Sequence, residues 1–432
     1  MPLFPARRLA ALAGSVLVLS ALSPGAARAA GDPDLAKQWG MGIIGAPSAW
    51  AAGKTGNGIT IAIVDTGVDF NHPEFAGRLL AGVNLVTPGT VPQDDNGHGT
   101  HVAGIAAAAL DGVGVSGVAP DARILPVKVL DSSGSGKGAD IDRGIEWAAD
   151  QGAQVINLSL ADVGQEVLGP DTGDAVQYAW SKGAICVFAA GNSFVLSSGF
   201  ADQPALVVSA TDRHDNKPDY SNGVGTAKWG MSAPGGGSTL APVQDLIWST
   251  WPMPEKYNYD AGTSMAAPHV AGAAAVLRSL GMSPQATVDR LLSTAKDLGP
   301  PGRDSTFGAG RLDVAKAVSG LPAAPPPSSA TTAPPAGKGP SSTAPAGAVG
   351  LSPTSALPGA TGGSVTTAAP GAGATATTAA TTSAASSGGT TALATRPASH
   401  RDTPWALGIL AFVVLGASGA ALAVRLRRPG GA

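Results

Sequence analysis

Residues 58–64, GITIAIV, form a run without charge in which β-branched side chains dominate. Such a run has no polar face to turn toward water. It fits a strand covered on both sides, the situation of a parallel sheet packed between helices. Similar runs occupy 122–130, 154–160, 184–189 and 205–210, and helical stretches lie between them, among them 100–110 and 140–151. The alternation predicts an α/β fold with a mainly parallel central sheet. The roughly 280 residues of globular composition are enough for one large core.

The flanks differ from this region. Arg7 and Arg8 precede a short apolar run, 9–22, and Ala27-Arg28-Ala29 follows it. Together these read as an export signal, 1–29, with a mature chain expected to begin near Ala30. The globular domain spans 30–320. From 321 to 404 Ala, Thr, Ser, Gly and Pro dominate, without an aromatic side chain and with only Lys338, Arg396, Arg401 and Asp402 formally charged. It lacks the apolar periodicity that would offset ordering entropy, so a disordered linker is expected. Residues 405–424, WALGILAFVVLGASGAALAV, carry no charge and are long enough for one membrane helix. Arg425, Arg427 and Arg428 then open a basic tail, 425–432, which the positive-inside rule assigns to the cytoplasm. The expected product is a single-pass protein of the cell membrane with its globular part outside the cytoplasm. A formal charge of −3 offers no positive field for phosphates, so no nucleic-acid partner is expected. One cysteine, Cys186, excludes an intrachain disulfide framework and reads as a small core residue.

Three local motifs carry chemistry. Asp65-Thr66-Gly67 follows the first buried run, at the end of a strand where open α/β sheets place their sites; an acid there also suits turn capping. Asn96-Gly97-His98-Gly99-Thr100-His101 opens a helical stretch with an imidazole among small residues. A zinc site would need two histidines four apart with a glutamate, and this spacing lacks both, so no metal is read here. His101 packs or caps, and His72, His214 and His269 read as structural. Gly262-Thr263-Ser264-Met265-Ala266-Ala267-Pro268-His269 places a serine at a helix start, where an N-cap is the plainer role. An esterase elbow would need a glycine where Ala266 stands.

Taken together, DTGVDFNHPEF, NGHGTHVAGI and GTSMAAPHVAGAAAVL resemble the three signatures of subtilisin-like serine proteases (peptidase S8 family), in that family's order Asp, His, Ser. Gly117-Val118-Ala119-Pro120, Val127-Lys128-Val129-Leu130, the run 155–160, Ala189-Ala190-Gly191-Asn192 and Ser232-Ala233-Pro234-Gly235 also match in sequence. The resemblance spans roughly 40–318. It implies a subtilisin-like three-layer fold and a serine endopeptidase hydrolysing peptide bonds through an acyl-enzyme. Ser264 would be the nucleophile, His98 the proton carrier and Asp65 the group that orients it. Asn192 would donate to the oxyanion. A protein or peptide substrate would bind as an added strand along Ser133, Gly134, Ser135 and Gly136 on one side and Ser159, Leu160 and Ala161 on the other.

Departures from the family pattern carry expectations too. Ala161-Asp162 stand where relatives have two glycines, which predicts a preference for small or basic side chains. Only about ten residues separate the signal from Gln38-Trp39-Gly40-Met41, so no folding pro-domain is expected. No cofactor is required on this reading. The segment 110–115 resembles a calcium-binding region of relatives but offers one carboxylate, Asp111, against the six to eight oxygens calcium takes; calcium stays open and unsupported. Export signal, linker, anchor and basic tail also resemble the mycosins, which implies a type VII secretion complex as a partner. A non-catalytic scaffold is the alternative, distinguished by replacing Ser264.

Overall fold

The computed structural model describes residues 32–160, 172–193 and 200–322. The expected signal peptide, the linker beyond residue 322, the membrane segment, the basic tail and Ala161 lie outside the described residues. Among the described residues no helix is long and apolar enough to cross a membrane.

Seven strands form the central sheet: β1 (Thr60–Asp65), β2 (Val83–Asn84), β3 (Arg123–Lys128), β4 (Val155–Leu158), β5 (Ile185–Ala189), β6 (Ala205–Thr211) and β7 (Trp229–Pro234). Their order is β2-β3-β1-β4-β5-β6-β7, and every pairing is parallel. Period-two alternation survives even though both faces are covered. Ile61 and Ile63 of β1 enter one core, whereas Ala62 and Val64 enter the other. Burying each of Ile61, Ile63 and Val64 is worth about 1.5–3 kcal/mol.

Eight α-helices are described: α1 (Trp39–Ile43), α2 (Ala46–Ala51), α3 (His98–Ala107), α4 (Gly138–Asp150), α5 (Thr172–Ser181), α6 (Thr263–Ser279), α7 (Pro284–Thr294) and α8 (Val314–Val318). α3 and α6 share the core on one face of the sheet; α4 and α5 share the other. α6 is buried from Thr263 to Leu277. Its Ala- and Gly-rich sequence allows this, because small side chains let it lie against the sheet and α3 at once. A hairpin of β8 (Ile247–Thr250) and β9 (Tyr257–Asp260) packs on α3. Ser249 and Thr250 donate from it to the carbonyls of His101 and Thr100.

The expected layers and parallel sheet are present. The expected helices at 100–110 and 140–151 appear as α3 and α4, each starting two residues earlier. β1 is an interior strand, paired with β3 on one side and β4 on the other. The chain runs outward from it to β2 and β3, then returns to β4 on its other side, a reversal of direction that opens a crevice at the carboxyl ends of these strands.

Candidate active site

Asp65 ends β1 fully buried, and its Oδ1 lies 2.8 Å from Nδ1 of His98, the first residue of α3. The same oxygen accepts the Thr66 N–H at 2.7 Å, so turn capping and imidazole pairing coexist on one carboxylate. The His98 side chain is 25% exposed, which leaves its far edge open to the crevice. In the neutral imidazole the Nδ1 proton is shared with Asp65, and Nε2 is then the nitrogen free to accept.

The two segments are held in register by Asp94. Its Oδ1 accepts the N–H groups of Asn96 and Gly97 and the Thr66 hydroxyl; its Oδ2 accepts the Thr100 N–H and hydroxyl. A carboxylate at this position satisfies donors that a helix start leaves open. Gly97 sits at φ 114° with the Trp251 ring against it, a place where a side chain would meet both strain and clash.

Ser264 is the second residue of α6, whose N-cap is Gly262. The N-cap reading of this serine is therefore replaced: its hydroxyl donates to the Ser159 carbonyl at 3.2 Å, away from its own helix amides. The reverse bond is explained by Pro268. That proline has no N–H, so the Ser264 carbonyl lacks its helical donor. The Ser159 hydroxyl supplies one at 2.8 Å and is itself held by the Asn157 amide. Ser159 is thus brought to Ser264 itself. On the other side, Asn192 Oδ1 accepts the Thr263 N–H at 2.9 Å and hydroxyl at 3.0 Å. This fixes the amide so that Nδ2 carries no acceptor among the described residues. Asp65, His98, Ser159, Asn192 and Ser264 all stand at carboxyl ends of adjacent strands or at the starts of the two helices beside them.

Burial works against charge on His98, but the Asp65 carboxylate outweighs it through its charge and hydrogen bond. Asp260 and Asp94 add to this, and the imidazole is pushed up to about 9. His101 is buried and faces elsewhere, toward the carbonyls of Ile247 and Asn258. It does not converge with His98 on a common ligand. His72 accepts the Glu74 N–H on Nδ1 and meets the Lys256 carbonyl through Nε2; His269 meets the Met265 carbonyl. Cys186 is buried, and burial pushes its thiol up to about 12.

Residues 133–136 lie on an exposed turn organised by Asp131, whose Oδ1 accepts the N–H groups of Ser133 and Ser135. Leu160 is buried. Asp111 is the one carboxylate of 110–115, and folding brings two more to it from distant segments. Asp32 accepts the N–H groups of Asp111 and Gly112, and Glu74 accepts that of Val115. Ser116 Oγ donates to the other Asp32 oxygen and the Tyr257 hydroxyl to Glu74 Oε1, while Glu74 Oε2 has no partner among the described residues. Among the described residues no group of three acidic, His or Cys side chains is placed to hold a metal.

The sequence reading missed the supports: Asp94, Lys128, Asn157, Thr263 and Pro268. Only Pro268 had a visible signal, a helix-interior proline four residues after the serine.

Known proteins share this arrangement of chain. Residues 56–310 match the model of the subtilase family. Thermitase from Thermoactinomyces vulgaris is 42% identical over 285 residues, covering 65% of this chain and 96% of thermitase. Subtilisin Savinase from Lederbergia lenta is 39% identical over 242 residues, 56% of this chain and 83% of the relative. Among solved structures, proteases from Pseudoalteromonas arctica give a TM-score of 0.58 at 29% identity, over 67% of this chain and 98% of theirs. A cold adapted subtilisin-like serine proteinase gives 0.50 at 33% identity, over 60% and 89%.

Proposed function

The chain belongs to the subtilase family and is a serine endopeptidase, and from that footing we propose that Asp65, His98 and Ser264 are its catalytic triad, with Asn192 in its oxyanion hole. The reading rests on the 2.8 Å Asp65–His98 bond, standing on the same crevice rim as a serine at a helix start.

In the resting arrangement the Ser264 hydroxyl points to Ser159. Reaction requires it to turn about its Cα–Cβ bond toward Nε2 of His98. Oγ then bonds to the scissile carbonyl carbon while its proton passes to Nε2. The imidazolium keeps its Nδ1 proton shared with Asp65. The carbonyl oxygen becomes an oxyanion facing Asn192 Nδ2 and the Ser264 N–H, donors that need no reorganisation because Thr263 already fixes the amide. Collapse breaks the C–N bond, and His98 returns its proton to the leaving amine. Water, deprotonated by the same imidazole, then hydrolyses the acyl-enzyme.

The exported location, the single anchor and the linker are part of the same proposal, supported by Arg7, Arg8 and Ala27-Arg28-Ala29 at one end and by 405–424 with Arg425, Arg427 and Arg428 at the other. A type VII secretion complex as partner is supported by that architecture alone. Substrate lies along 133–136 and 159–161, and Ala161-Asp162 favours small or basic side chains.

Labelling with a fluorophosphonate tests the chemistry. The full chain is expected to be labelled and its Ser264→Ala variant left unlabelled; equal labelling of both rules out Ser264 as nucleophile. Protease protection of spheroplasts tests the orientation, and a peptide library that returns large aromatic preference rules out the specificity reading.

A further inference from the structure

Lys128 stands on β3 in register with Asp65 of β1, and it is 3% exposed. An ammonium taken out of water is costly unless partners receive it. Two do: its Nζ donates to the Thr66 carbonyl at 2.6 Å and to Asp95 Oδ1 at 2.6 Å. Asp95 is about half exposed, so the ion pair itself is screened and worth little. Charge pairing alone therefore gives little reason for a lysine here; an apolar side chain of this length would fill the same space but leave the buried Thr66 carbonyl without this donor.

What the ammonium joins supplies the reason. Thr66 is the residue whose N–H holds Asp65 Oδ1, the oxygen that also receives His98. Asp95 lies beside Asp94, which organises the start of α3. One side chain thus connects the turn leaving Asp65 to the loop entering His98. We propose that Lys128 is a positioning residue that sets the Asp65–His98 geometry by clamping these two segments to β3. The proposal rests on the triad reading given above.

The pH dependence of the rate separates positioning from electrostatics by sign. The titratable groups around His98 are Asp65 from β1, Asp94 from the loop before α3, Asp260 from β9 and, acting by charge alone, His101 of α3. Removing a nearby positive charge alone raises the His98 limb. Loosening its bond to Asp65 lowers the limb toward the ordinary 6.5.

The test uses the full chain, a peptide p-nitroanilide, and kcat normalised to sites titrated with a fluorophosphonate. Lys128→Met is expected to lower kcat about 10- to 100-fold, the scale of a shift near 1 Å, with KM changed less than about twofold and the pH limb moved down. Lys128→Arg is expected to restore part of the rate. Asp95→Asn cuts one strand of the clamp at an exposed position and decides the matter if Lys128→Met does not fold; a smaller fall in kcat with the same downward shift is expected. Normalised rates within twofold of wild type with an unmoved limb, or an upward shift, overturn the proposal. Failure of the triad reading shows separately, as a wild-type chain that no fluorophosphonate labels, and removes this proposal with it.

Discussion

Replacing Glu74 by Gln is expected to stabilise the protein above neutral pH. Glu74 is 1% exposed. Its Oε1 accepts the Tyr257 hydroxyl at 2.7 Å and the Val115 N–H at 3.1 Å, while Oε2 is buried without a partner among the described residues. Burial raises the carboxyl; the bonds from Tyr257 and Val115 oppose it, Asp111 and Asp32 add repulsion, and the result is about 7 against an ordinary 4.5. The folded chain therefore keeps a proton that the unfolded chain has released. The associated stability is full below 4.5 and is lost as pH rises through 7, a loss of about 3 kcal/mol. A glutamine keeps the accepting oxygen, replaces the unpartnered one by an amide and never ionises. At about 2–4 °C per kcal/mol, its Tm should exceed that of the parent by about 6–12 °C at pH 9 and by little at pH 5. Thermal unfolding is followed in a Ser264→Ala background, which prevents self-digestion, with and without EDTA. A Tm difference that is flat across this range, or negative with calcium and abolished by EDTA, refutes the reasoning and makes Glu74 a metal ligand.

Three further outcomes follow from the site. Asn192→Ala should lower kcat about 100- to 1000-fold with little change in KM, a magnitude known from a subtilisin; a loss confined to KM would move Asn192 out of the oxyanion hole. Asp65→Asn should cost about 10⁴-fold in kcat and bring the His98 limb of the pH–rate profile down from about 9 toward 6.5, read from steady-state rates across that range. Burial, opposed by its bond to Met265 and aided by His101, holds His269 down at about 4; its stabilising contribution is full above 6.5 and falls by about 3 kcal/mol as pH drops through 4. Urea unfolding of the Ser264→Ala chain on the acid side should show this fall, and His269→Gln should flatten it.

The parts of the fold legible in the sequence are those whose burial is symmetric. β1 has no polar face, and its run of letters named it. β7, WGMSAP, carries glycine and proline in a buried strand, and β8 and β9 are separated by the proline-rich turn WPMPE, so their patterns resemble loops. α6 is buried nearly all round and shows no amphipathic period, leaving its small residues as the signal. The reacting groups were legible because each sits where an element starts or ends, beside glycines. Their supports were not. Lys128 meets Thr66 and Asp95, Ser159 meets Ser264, and Asp32 and Glu74 meet the 110–115 loop, all through contacts between distant segments that no local spacing encodes.

Gly99 shows how closely the site depends on such contacts. A Cβ there would stand 2.1 Å from the Gly67 carbonyl oxygen, 3.1 Å from Thr66 Oγ1 and 3.2 Å from Asp65 Cβ. The first neighbour is backbone and cannot swing aside, so α3 would have to withdraw by roughly 1 Å to regain ordinary contact. The withdrawal pulls on two bonds at once, Gly99 N–H to Thr66 Oγ1 at 2.9 Å and His98 to Asp65 at 2.8 Å. Local propensity argues the other way, because alanine in a helix is favoured over glycine by about 1 kcal/mol. The two effects differ in sign, and the clash is the larger because it falls on backbone that β1 holds fixed. Gly99→Ala should therefore slow fluorophosphonate labelling by about 100-fold and lower Tm together. If the variant labelled at the wild-type rate with a raised Tm, α3 could not be pressed against the end of β1, and the pairing of Asp65 with His98 would need another explanation.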